Sequence, residues 1–188
     1  MKKIFLALII LTSFNTFAQK PCEIDQEFTD SLGTYKSLKQ KLIFERNFAG
    51  NSTRFFFSLS TNNGVLSLDI ELLQRSNEFI KANCLDQKSK IYLQLSNGKI
   101  VTLLSSEEVC SQLTYDDKDK NNIRILNHYF LFTKDGFEDL KKYPVTLMKV
   151  KYLTESKDYV FQKELSSNII GKIFKPERYF IDNLKCVE

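Results

Sequence analysis

The sequence predicts an α+β fold rich in strands, mainly antiparallel hairpins forming a sandwich or partly open barrel, with short helices near the C-terminal end. Three observations lead there. Asn63-Gly64 and Asn97-Gly98 each separate two segments of alternating apolar and polar residues, the strongest short-range hairpin signal. The same alternation recurs in further short segments along the chain. Helical signals are few and come late, close to Pro144 and Pro176.

Taken in order, Glu23 to Phe28 is expected as a strand, with Glu23, Asp25 and Glu27 alternating against Ile24 and Phe28. Carboxylates about 7 Å apart on one strand face are too widely spaced for neighbours to hold one cation unaided, and they suit a solvated edge. Lys41 to Phe48 follows. Around Asn63-Gly64 the paired residue numbers sum to 127, so Phe57 meets Ile70, Leu59 meets Leu68 and Phe55 meets Leu72. Ser58, Ser60, Ser67 and Asp69 then occupy a wet opposite face. Around Asn97-Gly98, read as a two-residue turn, the numbers sum to 195 and Leu95 faces Ile100, Leu93 faces Thr102 and Ile91 faces Leu104.

Asn127 to Phe132 is a further strand, and Val145 to Leu153 pairs with Tyr159 to Leu165 around the polar loop Glu155 to Asp158. Thr133 is expected to cap a helix over Gly136 to Tyr143 that Pro144 stops. Pro176 opens a second, with Tyr179, Phe180, Leu184 and Val187 at helical spacing, and its last turn carries Cys186 toward the body of the protein.

Composition bounds the class. The chain has 188 residues, 43% hydrophobic and 27% charged, which excludes disordered, collagenous and membrane-bundle proteins. Lys2 and Lys3 precede the apolar run Ile4 to Leu11 and the small-x-small ending Thr16-Phe17-Ala18, so residues 1–18 read as a secretory signal peptide. The run is far short of the ~20 residues a spanning helix needs. Gln19, Lys20 and Pro21 precede Cys22 and form no lipoprotein box. Residues 19–188 are expected as one secreted domain, monomeric, in the periplasm or outside the cell. Removing two lysines lowers the formal charge from +4 to +2, which leaves no electrostatic footprint for nucleic acid.

Export makes the even set Cys22, Cys84, Cys110 and Cys186 a pair of disulfides with three possible connectivities. The numbers of Cys84 and Cys110 sum to 194, one residue out of the Asn97-Gly98 ladder, so a single bulge would join them. Cys22 with Cys186 follows by elimination.

Catalytic signals are sparse. His128 is the only imidazole and sits among aromatics in Asn127-His128-Tyr129-Phe130, a setting typical of structural histidines. One histidine builds no His-based metal cluster. Ser96-Asn97-Gly98-Lys99 matches Ser-x-x-Lys formally, but on a turn rather than at a helix start. Asp117, Asp119 and Asn121 copy the spacing of calcium ligands, but Asn122 stands where the loop needs Gly and His128 where it needs Glu, so a solvated loop is the better reading. Asn51 heads the glycosylation sequon Asn51-Ser52-Thr53, and Ser31 lies in Asp30-Ser31-Leu32, an O-glycosylation pattern of some exported proteins.

Several segments together carry a resemblance: Glu27-Phe28-Thr29, the Ser96-Asn97-Gly98 turn, Tyr129 to Thr133 running into a short helix ending at Leu140, the strand Val145 to Tyr152, and the ending Phe180 to Cys186. In these the chain resembles small uncharacterised secreted proteins of Gram-negative bacteria, β-rich and without an assigned activity. The resemblance implies a fold and an address, and it transfers no catalytic residue. The expected function is a secreted, non-enzymatic binding module of the bacterial envelope, without a cofactor, whose partner is a protein or an envelope glycan. An alternative is a carrier of a small apolar ligand in a barrel lined by Phe55, Phe57, Leu59, Leu68, Ile70 and Leu72. A third is a secreted enzyme using carboxylates that sequence alone does not pair.

Overall fold

The computed structural model describes residues 21–188, so the signal-peptide reading lies outside the described residues. The chain opens with β1 (Ile24–Asp30), β2 (Gly33–Leu38) and β3 (Lys41–Phe48), then the long hairpin β4 (Asn51–Asn62) and β5 (Val65–Ser76). Short β6 (Cys84–Leu85) leads to β7 (Lys90–Leu95) and β8 (Ile100–Ser105), and short β9 (Val109–Cys110) to β10 (Gln112–Asp116) and the long β11 (Asn121–Phe132). After α1 (Phe137–Leu140) come β12 (Val145–Lys151), β13 (Ser156–Val160), β14 (Leu165–Ser167), β15 (Lys172–Phe174) and α2 (Tyr179–Asn183), the last flanked by single 3₁₀ turns.

All the strand pairings are antiparallel, and the main sheet runs β1-β2-β4-β5-β11-β8-β7-β12-β13 without closing into a barrel. Its architecture rests on three 12-residue strands, β4, β5 and β11. Each outer member of this trio changes partner partway along. On β4, β3 pairs with Asn51 to Phe57 and β2 with Ser60 to Asn62. On β11, β10 pairs with Asn121 to Ile125 and β8 with Phe130 to Phe132. Twisted strands of this length cannot keep one neighbour along their whole edge while both faces pack, and the changeover lets the sheet split and fold over its own core.

The β4–β5 register is the expected one, with Phe57 opposite Ile70, Leu59 opposite Leu68 and Phe55 opposite Leu72. These six are at most 3% exposed and form the centre of the core. Phe55 packs edge-on to Tyr159 at 5.0 Å, and Phe57 contacts Phe161, Tyr179 and Phe180 at 5.5 to 6.0 Å between ring centres. The residues proposed to line a ligand cavity are thus filled by one another and by rings from β13 and α2.

Several local expectations are corrected. The β7–β8 register sums to 194, with Leu93 opposite Val101 and Ile91 opposite Leu103, because the turn has three residues, Ser96 to Gly98, with Gly98 at φ 84°. The Leu95 carbonyl accepts the Gly98 N–H and its own N–H reaches Lys99 O at 2.9 Å, a turn ending in a left-handed residue rather than a two-residue one. In that register Cys84 and Cys110 are directly opposed on β6 and β9, and their disulfide needs no bulge. The second disulfide joins Cys22 to Cys186. Near the end of the sheet, the β12–β13 turn comes earlier than Glu155 to Asp158: Tyr152 N–H donates to Glu155 O at 2.8 Å and β13 starts at Ser156.

Thr133 caps no helix. Its hydroxyl donates to Thr102 O at 3.0 Å, and α1 is a four-residue turn behind Gly136 at φ 80°. The wet face of β4–β5 is also drier than expected, since Ser58 and Ser60 are 7% and 4% exposed. Ser58 Oγ donates to the Leu38 carbonyl where β2 ends. β2, β6, β9, β10, β14 and β15 have no counterpart in the sequence reading; β10 in particular turns the loop Tyr115 to Asn122 into a hairpin.

Candidate functional site

A depression of about 430 Å³ at β5 and β11 is lined by Gln40, Asp69, Ile70, Glu71, Glu107, Asn127, His128 and Tyr129. Register builds it. Asp69 lies opposite Tyr129 and Glu71 opposite Asn127, so these four share a face. The other two polar groups come from the connections at the two changeovers: Gln40 lies between β2 and β3, and Glu107 between β8 and β9. The depression therefore sits where both long edge strands exchange partners.

His128 is the unusual member. Register places it opposite Ile70, on the core side, between Leu126 and Phe130. No strand occupies that edge of β11 between Ile125 and Phe130. The ring lies 5.5 Å from that of Tyr129 and nearly parallel to it, and edge-on to Phe130 at 5.0 Å. His128 is 7% exposed. Its Nε2 is 2.9 Å from Ser105 Oγ, which is itself 3.1 Å from the Glu107 carbonyl oxygen. A carbonyl only accepts, so the single hydroxyl proton of Ser105 goes to Glu107 O and Nε2–H donates to Ser105. Nδ1 is then a bare acceptor. It has no hydrogen-bond partner among the described residues and keeps contact with solvent. Burial holds the imidazole pKa below its ordinary value, with the Glu107 carboxylate pulling weakly the other way, so the ring is neutral at pH 7.

This network also decides against a nucleophile at Ser105. A serine activated by histidine gives its proton to the ring, whereas here the ring donates to the hydroxyl and Ser105 is 8% exposed.

Asp69 is the second perturbed group. Burial raises its carboxyl pKa, and the hydroxyls of Ser60 and Ser67, an opposed pair 2.8 Å apart, oppose that rise by hydrogen bonding. Asp69, Glu71 and Glu107 form no ion pair among the described residues, and no lysine or arginine lines the depression. Three carboxylates and His128 thus line one opening. The sequence placed Asp69 on the polar face of its hairpin but left Glu71 unremarked, and the approach of Glu107 depends on the changeover of β11.

Other candidate residues sit elsewhere. Asp119 and Asp116 both turn to Arg75, whose Nη2 is 2.5 Å from Asp119 Oδ2 and 3.6 Å from Asp116 Oδ2. Asn121 Nδ2 donates to Asp119 O, and Asp117 is exposed in the β10–β11 turn, so Asp117, Asp119 and Asn121 are not brought together as ligands. No group of three or more His, Cys, Asp or Glu among the described residues could hold a metal ion. Ser31 is exposed in the β1–β2 turn, and Asn51 is exposed at the start of β4. Both are reachable by a modifying enzyme.

A deeper cleft of about 460 Å³ lies between β3 and the β14–β15 hairpin, with Phe56, Ile173 and Phe174 among its walls. Of its charges, Lys41 pairs with Glu23 at 2.9 Å and Asp182 with Arg178 at 3.1 Å, while Lys172 makes no ion pair among the described residues. No helix among the described residues is long and apolar enough to cross a membrane. Comparison with family models, curated proteins and solved structures returned no match.

Proposed function

We propose that the chain is an exported, non-enzymatic binding module of the bacterial envelope whose ligand sits in the depression between Gln40 and Glu107. One observation carries this reading: a nearly buried histidine commits one ring nitrogen to Ser105 and leaves the other unpartnered beside that opening. That nitrogen keeps contact with solvent, so a donor that arrives from outside can replace the water that reaches it there. Export is supported by the two disulfides, which are compatible with an oxidising compartment. A strand framework braced at both ends supplies the rigidity that a preformed site needs.

The test is photo-cross-linking in the protein's own host. A cross-linking side chain at Asn127, exposed on the rim, is expected to give a discrete adduct that the same group at exposed Lys149 on β12 does not. No adduct at Asn127, or the same adducts at both positions, would overturn the reading.

A further inference from the structure

We infer that the cleft between β3 and the β14–β15 hairpin binds an organic anion with an apolar body, of the class of aliphatic carboxylates. It is a second site, sharing only Gln40 with the depression described above. A bulge in β3 builds one wall. The β3–β4 register slips between Leu42 and Phe44, so Leu42 and Ile43 are both buried where strict alternation would turn one outward. The β14–β15 hairpin supplies the other wall, where Ile173, 67% exposed, and half-buried Phe174 present hydrocarbon to the cleft.

One polar group in this cleft lacks a partner. Tyr179 opens α2 and lines the cleft together with Asp182 and Asn183, three and four positions on along the same helical face. The residue is 3% exposed, and its hydroxyl is buried with no hydrogen-bond partner among the described residues. Buried polar groups are ordinarily satisfied, so an orphan hydroxyl in a cleft wall marks the place of an incoming acceptor. Burial, with the Asp69 carboxylate adding to it, raises the phenol pKa well above its ordinary value, so the group stays a donor at physiological pH.

The uncommitted charge of the cleft is positive. Lys41 and Asp182 are held by Glu23 and Arg178. Lys175 is 3.9 Å from Glu164, and exposed Lys172 pairs with no carboxylate among the described residues. A buried donor, an exposed cation and apolar walls together select an amphiphilic anion. A carboxylate accepts the tyrosine hydrogen bond and answers the lysine charge, while a hydrocarbon chain covers Phe56, Ile173 and Phe174. A neutral alcohol leaves Lys172 unanswered, an amine sets a like charge beside it, and a small hydrophilic anion leaves the walls wet. The volume of about 460 Å³ is that of a small-molecule site.

The experiment is a two-dimensional NMR titration of the whole disulfide-bonded protein with octanoate, n-octanol, acetate and octylammonium, each kept below the concentration at which it aggregates. Expected are saturable shifts at residues 42–43, 172–174, 179 and 183 with octanoate, and binding at least about tenfold weaker with the other three. Tyr179→Phe removes a hydroxyl that bonds to nothing in the chain. It is expected to leave the urea midpoint of the free protein unchanged or raised, and to weaken octanoate about tenfold. Lys172→Gln is expected to weaken octanoate about three- to fivefold and to flatten its salt dependence, whereas Lys118→Gln in the β10–β11 turn changes neither. Octanol or octylammonium binding as well as octanoate would overturn the anion. Absence of saturable shifts with octanoate, or undiminished octanoate affinity in both Tyr179→Phe and Lys172→Gln, would overturn the site. A lowered midpoint of free Tyr179→Phe would show that the hydroxyl is bonded within the fold and would overturn it equally.

Discussion

Asn63 lies so close to Gly33 that a Cβ on the glycine would stand 1.7 Å from Asn63 Oδ1. That oxygen accepts Thr34 N–H at 2.9 Å while Nδ2 donates to Leu32 O at 3.1 Å, so the residue that turns β4 into β5 also ties down the β1–β2 hairpin. Gly33→Ala is expected to cost roughly 2 to 4 kcal/mol, because it adds both the clash and strain at φ 138°. Asn63→Gly should cost about 1 kcal/mol, and the two costs should fall short of additive in the double variant, since the clash partner is gone. Urea midpoints of the three variants check this; full additivity would count against the contact.

The hydroxyls of Tyr152 and Tyr159 are 3.0 Å apart in the core. Removing either one strands the other, so Tyr152→Phe alone should destabilise by about 1 to 2 kcal/mol, and adding Tyr159→Phe should restore part of that loss. Burial pushes Tyr159 up to about 12 and raises Tyr152 further. A phenol raised in the folded state stays protonated after the unfolded chain has lost its proton. Its contribution is therefore complete below pH ~10 and is lost as pH climbs through the folded values. Alkaline denaturation should begin above pH ~10 and be shallower in the double phenylalanine variant; equal slopes would contradict the assignment.

His128 gives the acid-side counterpart. With its pKa depressed by burial, the ring binds a proton in the unfolded chain before it does so in the folded one, so stability falls as pH drops below ~6.5. The ring proton resonances should titrate below that value. Glu107→Gln should lower the midpoint further by removing the opposing carboxylate. A midpoint above 6.5 in the native protein would refute the neutral acceptor at Nδ1.

The two disulfides should differ in weight. Cys22 and Cys186 are 164 positions apart and Cys84 and Cys110 are 26, which loop-closure arithmetic converts to about 5 and about 3.5 kcal/mol. Unfolding of the two paired alanine variants should follow that order, and the reverse order would show that local packing around β6 and β9 outweighs chain entropy.

The β4–β5 hairpin was legible because alternation, a two-residue Asn-Gly turn and a fully apolar face all agree from Phe55 to Leu72. The Ser96 to Gly98 turn was misjudged by one residue because Asn-Gly occurs in both turn lengths, and only the ladder beyond it, ending at Cys84 opposite Cys110, distinguishes them. The C-terminal turns were found through Pro176 and the buried Tyr179, Phe180, Leu184 and Val187. His128 was visible but its environment was not. Its setting depends on which strand leaves β11 at Ile125 and which joins at Phe130, a long-range pairing with no local signature.

Joining Cys22 to Cys186 also changes how the protein answers to tension. A pull applied outside those two positions passes from one sulfur to the other and never enters the span between them, whose ends are 164 positions apart. The sheet is then out of the load path, and the recess between Gln40 and Glu107 keeps its shape under a force that would unzip the same strands in a reduced chain.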